Sequence, residues 1–253
     1  MLDLQQIDAI CQRLEMRQFV VEPALAGVLV DRDGRRHAWD YAADAACFAP
    51  LLELGWRPRP RSLTHTKTII IDLAPGLKAV TAGFSTAARR NTRAAAKAAV
   101  EYRDVGFDAV TADEREQLRG LNETFLAEHP DLADRDGIRA SVTTHFGAKG
   151  RYVMAYDASG LVGVVYLMIH DRVASYYVAQ AAKGARDLRV PTGLVHASIR
   201  VALEHGCDLF DFSGIRDERF PRANASWRGF TEFKGRFGGC AVSLPTGFDV
   251  ALP

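Results

Sequence analysis

Residues 152–179 read YVMAYDASGLVGVVYLMIHDRVASYYVA, and this stretch decides the fold. Three apolar runs, Tyr152–Tyr156, Leu161–Ile169 and Val173–Ala179, are divided by the turn-forming segments DASG and HDR. Their lengths and their Val, Tyr and Ile content predict strands, and the short turns predict an antiparallel meander. Downstream, Thr192–His205 has the periodicity of a helix and leads into a strand, Leu209–Phe212, that ends at Gly214. The tail TEFKGRFGGCAVSL closes with a further strand. Upstream, Ala112–Glu128 predicts a helix with Leu118, Leu121, Phe125 and Leu126 on its apolar side, and Thr68–Leu73 predicts a strand. Nearer the start, residues 3–17 and 42–54 predict helices, and Phe19–Glu22 a short strand stopped by Pro23. The fold class expected is α/β with a mixed sheet.

Composition narrows the function classes. The 253 residues are 48% hydrophobic and 25% charged, an ordinary globular balance, and the net charge of +1 gives no bulk attraction for a polyanion. Cys11, Cys47, Cys207 and Cys240 are too scattered for a zinc ribbon or a redox pair, which fits a reducing cytoplasm. The longest apolar run, Leu161–Ile169, is half the length of a membrane helix, so no integral membrane segment is expected. Phosphate loops, dinucleotide fingerprints, nucleophile elbows and HExxH are absent, and no histidines stand at i, i+4, so no metal site is expected.

The charge is unevenly distributed. Arg57–Arg103 holds ten Lys/Arg against two Asp/Glu, whereas Asp104–Ala140 holds ten acids against four bases. The sign change suggests a boundary, dividing the chain into residues 1–107 and 108–253. Within the basic block, the alanine-rich segment from Phe84 to Val100 predicts a helix. On it Arg89, Arg90, Arg93 and Lys97 fall within a sector of roughly 100°. Phe84, Ala88, Ala95 and Ala99 gather on the other side. Such a row fits a solvated face or a phosphate-binding face. No acid stands at i±3 or i±4 to the three arginines, which favours phosphate.

The order helix, three-stranded meander, helix, strand is similar to the Gcn5-related N-acyltransferase (GNAT) fold. Acyl-CoA-dependent members of that fold hold the pyrophosphate on the backbone amides of a [QR]xxGx[GA] loop. Here the corresponding stretch is KGARDLRVPTGL, whose glycines are displaced and whose Pro191 lacks an N–H.

Four further stretches, in order, resemble the FemABX family of aminoacyl-tRNA-dependent peptidyltransferases. They are FVVEPAL; TKTIIIDL with FSTAARRNTRAAAKAAVEYR; LFDFSGI; and NASWRGFTEFKGRFGG. The resemblance implies two GNAT-like lobes, here a complete C-terminal one and an incomplete N-terminal one whose early strands have no counterpart. It departs from the family at Ser213, which stands where the family's DFGGI has its first glycine, and in lacking a helical arm.

The resemblance also implies chemistry. The donor is aminoacyl-tRNA, with no cofactor. The acceptor is an amine on a nucleotide- or lipid-linked peptidoglycan precursor, which places the protein in the cytoplasm or at the inner face of the membrane. Lys234 is the candidate for stabilising the tetrahedral oxyanion, and Phe233 for walling the pocket, with Gly229 in the same segment. Arg89, Arg90, Arg93 and Lys97 would meet phosphates, which positions a nucleic acid without specifying it. Asp211 at a strand end is a candidate for substrate contact or for base chemistry, and equally a buried anchor. Tyr176 and Tyr177 alternate faces, so only one of them, taken as Tyr177, lines a groove. A CoA-dependent N-acyltransferase and a non-catalytic RNA-binding relative are the alternatives.

Overall fold

Strands β6 (Gly150–Asp157), β7 (Gly160–His170) and β8 (Val173–Ala181) form the antiparallel meander. Short loops join them. Asp157 caps the first, its Oδ1 accepting from the Ser159 N–H at 2.7 Å and the Ser159 hydroxyl at 2.6 Å. In the computed structural model the residues described are 28–30, 36–38, 57–58, 65, 67–128, 150–170, 172–219, 225–243 and 248–250. The expected elements at 3–17, 19–22 and 42–54, and the FVVEPAL motif, lie outside them.

The other strands are β1 (Val28–Val30), β2 (Arg36–Ala38), β3 (Arg57–Pro58), β4 (Lys67–Asp72), β5 (Glu101–Gly106), β9 (Leu209–Asp211), β10 (Cys240–Ser243) and β11 (Phe248–Val250). The helices are α1 (Gly76–Ala82), α2 (Thr86–Lys97), α3 (Ala112–Glu128), α4 (Val190–Glu204) and α5 (Arg228–Gly235). Seven strands follow the order β10-β4-β9-β8-β7-β6-β5, and four short ones the order β1-β2-β11-β3. This is a mixed α/β architecture: β8 and β9 run parallel, whereas β5 through β8 alternate in direction.

Contacts group the chain into two units. One is Met1–Ile70 with Phe212–Lys234 and Cys240–Pro253; the other is Ile71–Asp211 with Gly235–Gly239. The division cuts β4 between Ile70 and Ile71. Strand β5 occupies the place where the acidic run begins, and Asp104 on it accepts two hydrogen bonds from Arg151 of β6, at 2.8 and 2.7 Å. The carboxylate there belongs to a strand pair.

The core of the second unit follows from α4. Ten of its residues are buried, including Val190, Leu194, Val195, Ile199 and Val201, because the sequence VPTGLVHASIRVALE is apolar on most sides. The helix packs on β6, β7 and β8, with α2 against it. Phe107, Tyr152 and Tyr166 form an aromatic cluster at centroid distances of 4.3 to 6.0 Å. Two glycines admit these rings and helices. A Cβ at Gly150 would collide with the Phe107 ring, and one at Gly193 with the Tyr102 hydroxyl.

Candidate active site

In the first unit the segment after β9 turns sharply. Ser213 (φ 51°) and Gly214 (φ 97°) are consecutive left-handed residues. The turn is fastened to β4: Phe212 N–H donates to the Ile69 carbonyl at 3.0 Å, and Ile215 N–H to the Lys67 carbonyl at 2.8 Å. A non-glycine residue in this region carries a steric penalty of about 1–2 kcal/mol, so the conformation of Ser213 must be held by its surroundings.

Lys234 supplies much of that hold. Its ammonium, at the end of α5, donates to the carbonyls of Phe212 (2.7 Å), Gly214 (2.6 Å) and, at the long distance of 3.4 Å, Ser213. The side chain is directed into the protein rather than out to water. The first two contacts are short, and the third is at the limit of hydrogen bonding. Phe233 beside it is half-buried, and Gly229 is exposed on the first turn of α5 with open space around it.

His65, which no motif marked, also belongs to this turn. A Cβ on Gly214 would lie 2.9 Å from the His65 Cβ and 3.0 Å from Trp227, so position 214 requires glycine for space as well as for φ. Burial, reinforced by the Lys234 ammonium, pushes the His65 pKa down to about 3, and the imidazole is neutral at physiological pH. In the unfolded chain it protonates near 6.5. Between these values the unfolded chain binds the extra proton, so stability is full above about pH 6.5 and falls as the pH drops towards 3. The slope approaches about 1.4 kcal/mol per pH unit. Acid melting followed by circular dichroism is expected to show this loss, and His65→Gln to flatten it.

In the second unit the parallel pairing of β8 with β9 stops at Ser175↔Asp211, while β8 continues to Ala181. Beyond Asp211 this edge of β8 parts from β9, at the carboxyl end of parallel strands, where ligands of open α/β sheets bind. Tyr166 of β7 pairs with Val178 and Leu167 with Tyr176, so Tyr177 is the extra residue of a β-bulge. Tyr176 is buried against Phe210, and Tyr177 is half-buried. Asp211 is fully buried.

The turn between β8 and α4 is closed on itself. The amides of Ala185, Asp187 and Arg189 donate to the carbonyls of Ala182, Gly184 and Arg186. Arg189 caps α4 in the left-handed conformation (φ 60°) without a side-chain capping bond, and proline occupies the helix's first turn.

The basic helix α2 is as the sequence predicts, but its cations differ in position. Ser85 caps it, the hydroxyl accepting from the Ala88 N–H at 3.2 Å. Phe84, Ala88 and Ala95 are buried; Ala99 lies past the helix end, and is exposed. Arg89 donates to the carbonyls of Ala82 and Phe84, both at 2.8 Å, and so fastens the end of α1. Arg90, Arg93 and Lys97 are exposed. Among the described residues no group of three His, Cys, Asp or Glu could hold a metal ion, and no helix is long and apolar enough to cross a membrane.

The sequence model of the acetyltransferase (GNAT) domain matches residues 86–222, more than half of the chain. The chain belongs to this family. The GNAT chain is thereby assigned to the acyltransferases, and its fold has solved neighbours. FemX shares 12% identity at a TM-score of 0.66, over 99% of this chain and 78% of that one. The C-terminal domain of a putative lysylphosphatidylglycerol synthetase from Agrobacterium fabrum shares 14% at 0.61, over 99% and 93%. L-PGS from Bacillus licheniformis shares 11% at 0.56, over 98% and 91%. The GNAT chain matches no curated protein sequence. The fold of the chain is therefore Fem-like as well as GNAT-like.

Proposed function

We propose that the chain is an aminoacyltransferase that takes its acyl group from aminoacyl-tRNA and delivers it to an amine of a peptidoglycan precursor. The observation that carries the choice of donor is the closed turn before α4. A CoA pyrophosphate needs free amides at that place, and here Ala185, Asp187 and Arg189 spend theirs on local carbonyls while Pro191 has none. The Fem-like fold and the segment GFTEFKGRFGG support the same reading.

In this mechanism the acceptor amine attacks the ester carbonyl, forming the new C–N bond. The tetrahedral oxyanion then collapses, and the C–O bond to the ribose breaks as the ribose oxygen takes the proton that the attacking amine gives up. Lys234 directs an N–H of its ammonium to the oxyanion, where charge exists only in the transition state. Phe233 lines the acyl pocket. The exposed Arg90, Arg93 and Lys97 meet tRNA phosphates, and Arg89 holds the helix that presents them.

The direct test is transfer of a labelled amino acid from charged tRNA to a precursor bearing a free stem-peptide amine, run in parallel with acyl-CoA. Transfer from tRNA and none from CoA supports the reading; the reverse result overturns it. Phosphatidylglycerol belongs in the same assay as a rival acceptor, because one of the structural neighbours is named as a putative lysylphosphatidylglycerol synthetase. Neutralising Arg90, Arg93 and Lys97 together is expected to reduce the slope of log affinity for tRNA against log salt by up to about 3, as filter binding would show.

A further inference from the structure

The turn held by Lys234 continues directly into a cation that the described residues leave without a carboxylate. Arg216 follows Gly214 by two residues. Its own N–H donates to the Thr231 hydroxyl of α5 at 2.8 Å, and that hydroxyl donates in turn to the Trp227 carbonyl at 3.0 Å, so the backbone here is pinned. The side chain is half-buried, and its Nε is enclosed with no hydrogen-bond partner.

The neighbouring carboxylates do not serve it. Asp217, buried, binds Arg219, with the Arg219 Nη2 at 2.7 Å. Glu218 binds Lys67 at 2.5 Å. Each acid next to Arg216 is thus committed to a different cation. Among the described residues, Arg216 has no carboxylate. A guanidinium with a desolvated Nε and no anion is costly to keep unless a ligand supplies the missing partner.

We propose that Arg216 receives a phosphate of the substrate, namely the phosphodiester that joins the last two nucleotides of the aminoacyl-tRNA. The proposal rests on the tRNA-dependent reading given above. Arginine presents two parallel N–H donors that match a phosphate's oxygens. Its Cα lies within about 7 Å of that of Gly214, whose carbonyl Lys234 holds at 2.6 Å. If Lys234 faces the ester carbonyl, the donor's last phosphodiester is one ribose away. The pyrophosphate of the acceptor is separated from its reacting amine by a sugar and a run of peptide. Proximity therefore selects the donor's phosphate.

The test measures binding separately from turnover. A fluorescent CCA trinucleotide, the sequence with which transfer RNAs end, is titrated into the full chain and into Arg216→Gln and Arg216→Lys. Arg216→Gln is expected to weaken binding by about 10- to 100-fold, and Arg216→Lys by less, because lysine keeps the charge but loses the fork. A trinucleotide with a neutral methylphosphonate at its last linkage should bind wild type more weakly, and Arg216→Gln should then cause no further loss. Equal affinity of all three proteins for the natural trinucleotide overturns the proposal. So does an undiminished effect of Arg216→Gln on the methylphosphonate probe. Melting temperatures identify a variant that fails to fold, and the methylphosphonate comparison on wild type decides the matter in that event. Arg216-dependent binding without transfer from any charged tRNA leaves this site standing and removes the proposed function instead.

Discussion

Lys234→Met is expected to lower the rate of acyl transfer by about 10²–10³-fold, the usual effect of losing one donor to a developing oxyanion. The effect should appear in kcat rather than in the KM for either substrate, because the interaction strengthens only as charge develops. The same substitution removes the ammonium that holds the Phe212 and Gly214 carbonyls. Hydrogen bonds to a charged group contribute about 1.5–3 kcal/mol each, so the melting temperature should fall as well. Single-turnover kinetics on protein kept well below its melting point separates the two losses. If the variant melts early yet transfers at the wild-type rate, Lys234 is a structural clamp and the oxyanion role is lost.

Gly193→Ala is expected to be the most damaging small substitution in the second unit. The added methyl would overlap the Tyr102 hydroxyl, and Tyr102 cannot easily retreat because it stands on β5, paired with Ala155 of β6. The helix bearing Gly193 is buried along most of its length and is equally unable to move. Overpacking of this kind destabilises by about 1–3 kcal/mol and at times more, even though alanine is the better helix former. Chemical denaturation should show a lower midpoint. Tyr102→Phe in the same chain should restore part of the loss, because it removes the oxygen that the methyl meets first. Unchanged stability of Gly193→Ala would mean that the strand and helix are less closely seated than described.

Much of the second unit was legible in the sequence because its signals are local. The meander announced itself through runs of β-forming residues and short polar turns, and Ala112–Glu128 through its apolar spacing. Strand β5 was not legible. EYRDVG is charged and only partly buried, and it becomes a strand through pairing with β6, where Arg151 answers Asp104. Tertiary context there outweighs propensity.

The candidate site divides in the same way. Lys234 stood out through its motif, but three backbone carbonyls around its ammonium cannot be read from side-chain letters. His65 carried no signal at all, since its importance comes from the space beneath Gly214. Arg216 is one basic residue among many until the partners of Asp217 and Glu218 are known. The even spacing of cations on α2 concealed a difference in use: Arg89 reaches back to the end of the preceding helix, and its neighbours do not.

The additional residue at Tyr177 changes the parity of β8. Were Tyr177 paired in a regular ladder rather than bulged, Tyr176, Val178 and Gln180 would all point to one side, as alternate residues of an unbroken strand must. With the bulge, Val178 and Gln180 stand beside Tyr166 and Val164, and Gln180 donates to Asn122 of α3 at 2.6 Å. Deleting a single residue here would shorten the chain by one part in 253. It would leave that amide opposite Val164 and facing α3, because Val178 would then follow Tyr176 directly; flattening the bulge while keeping its residue is what would turn the amide away, so the bulge itself works as a hinge of facing.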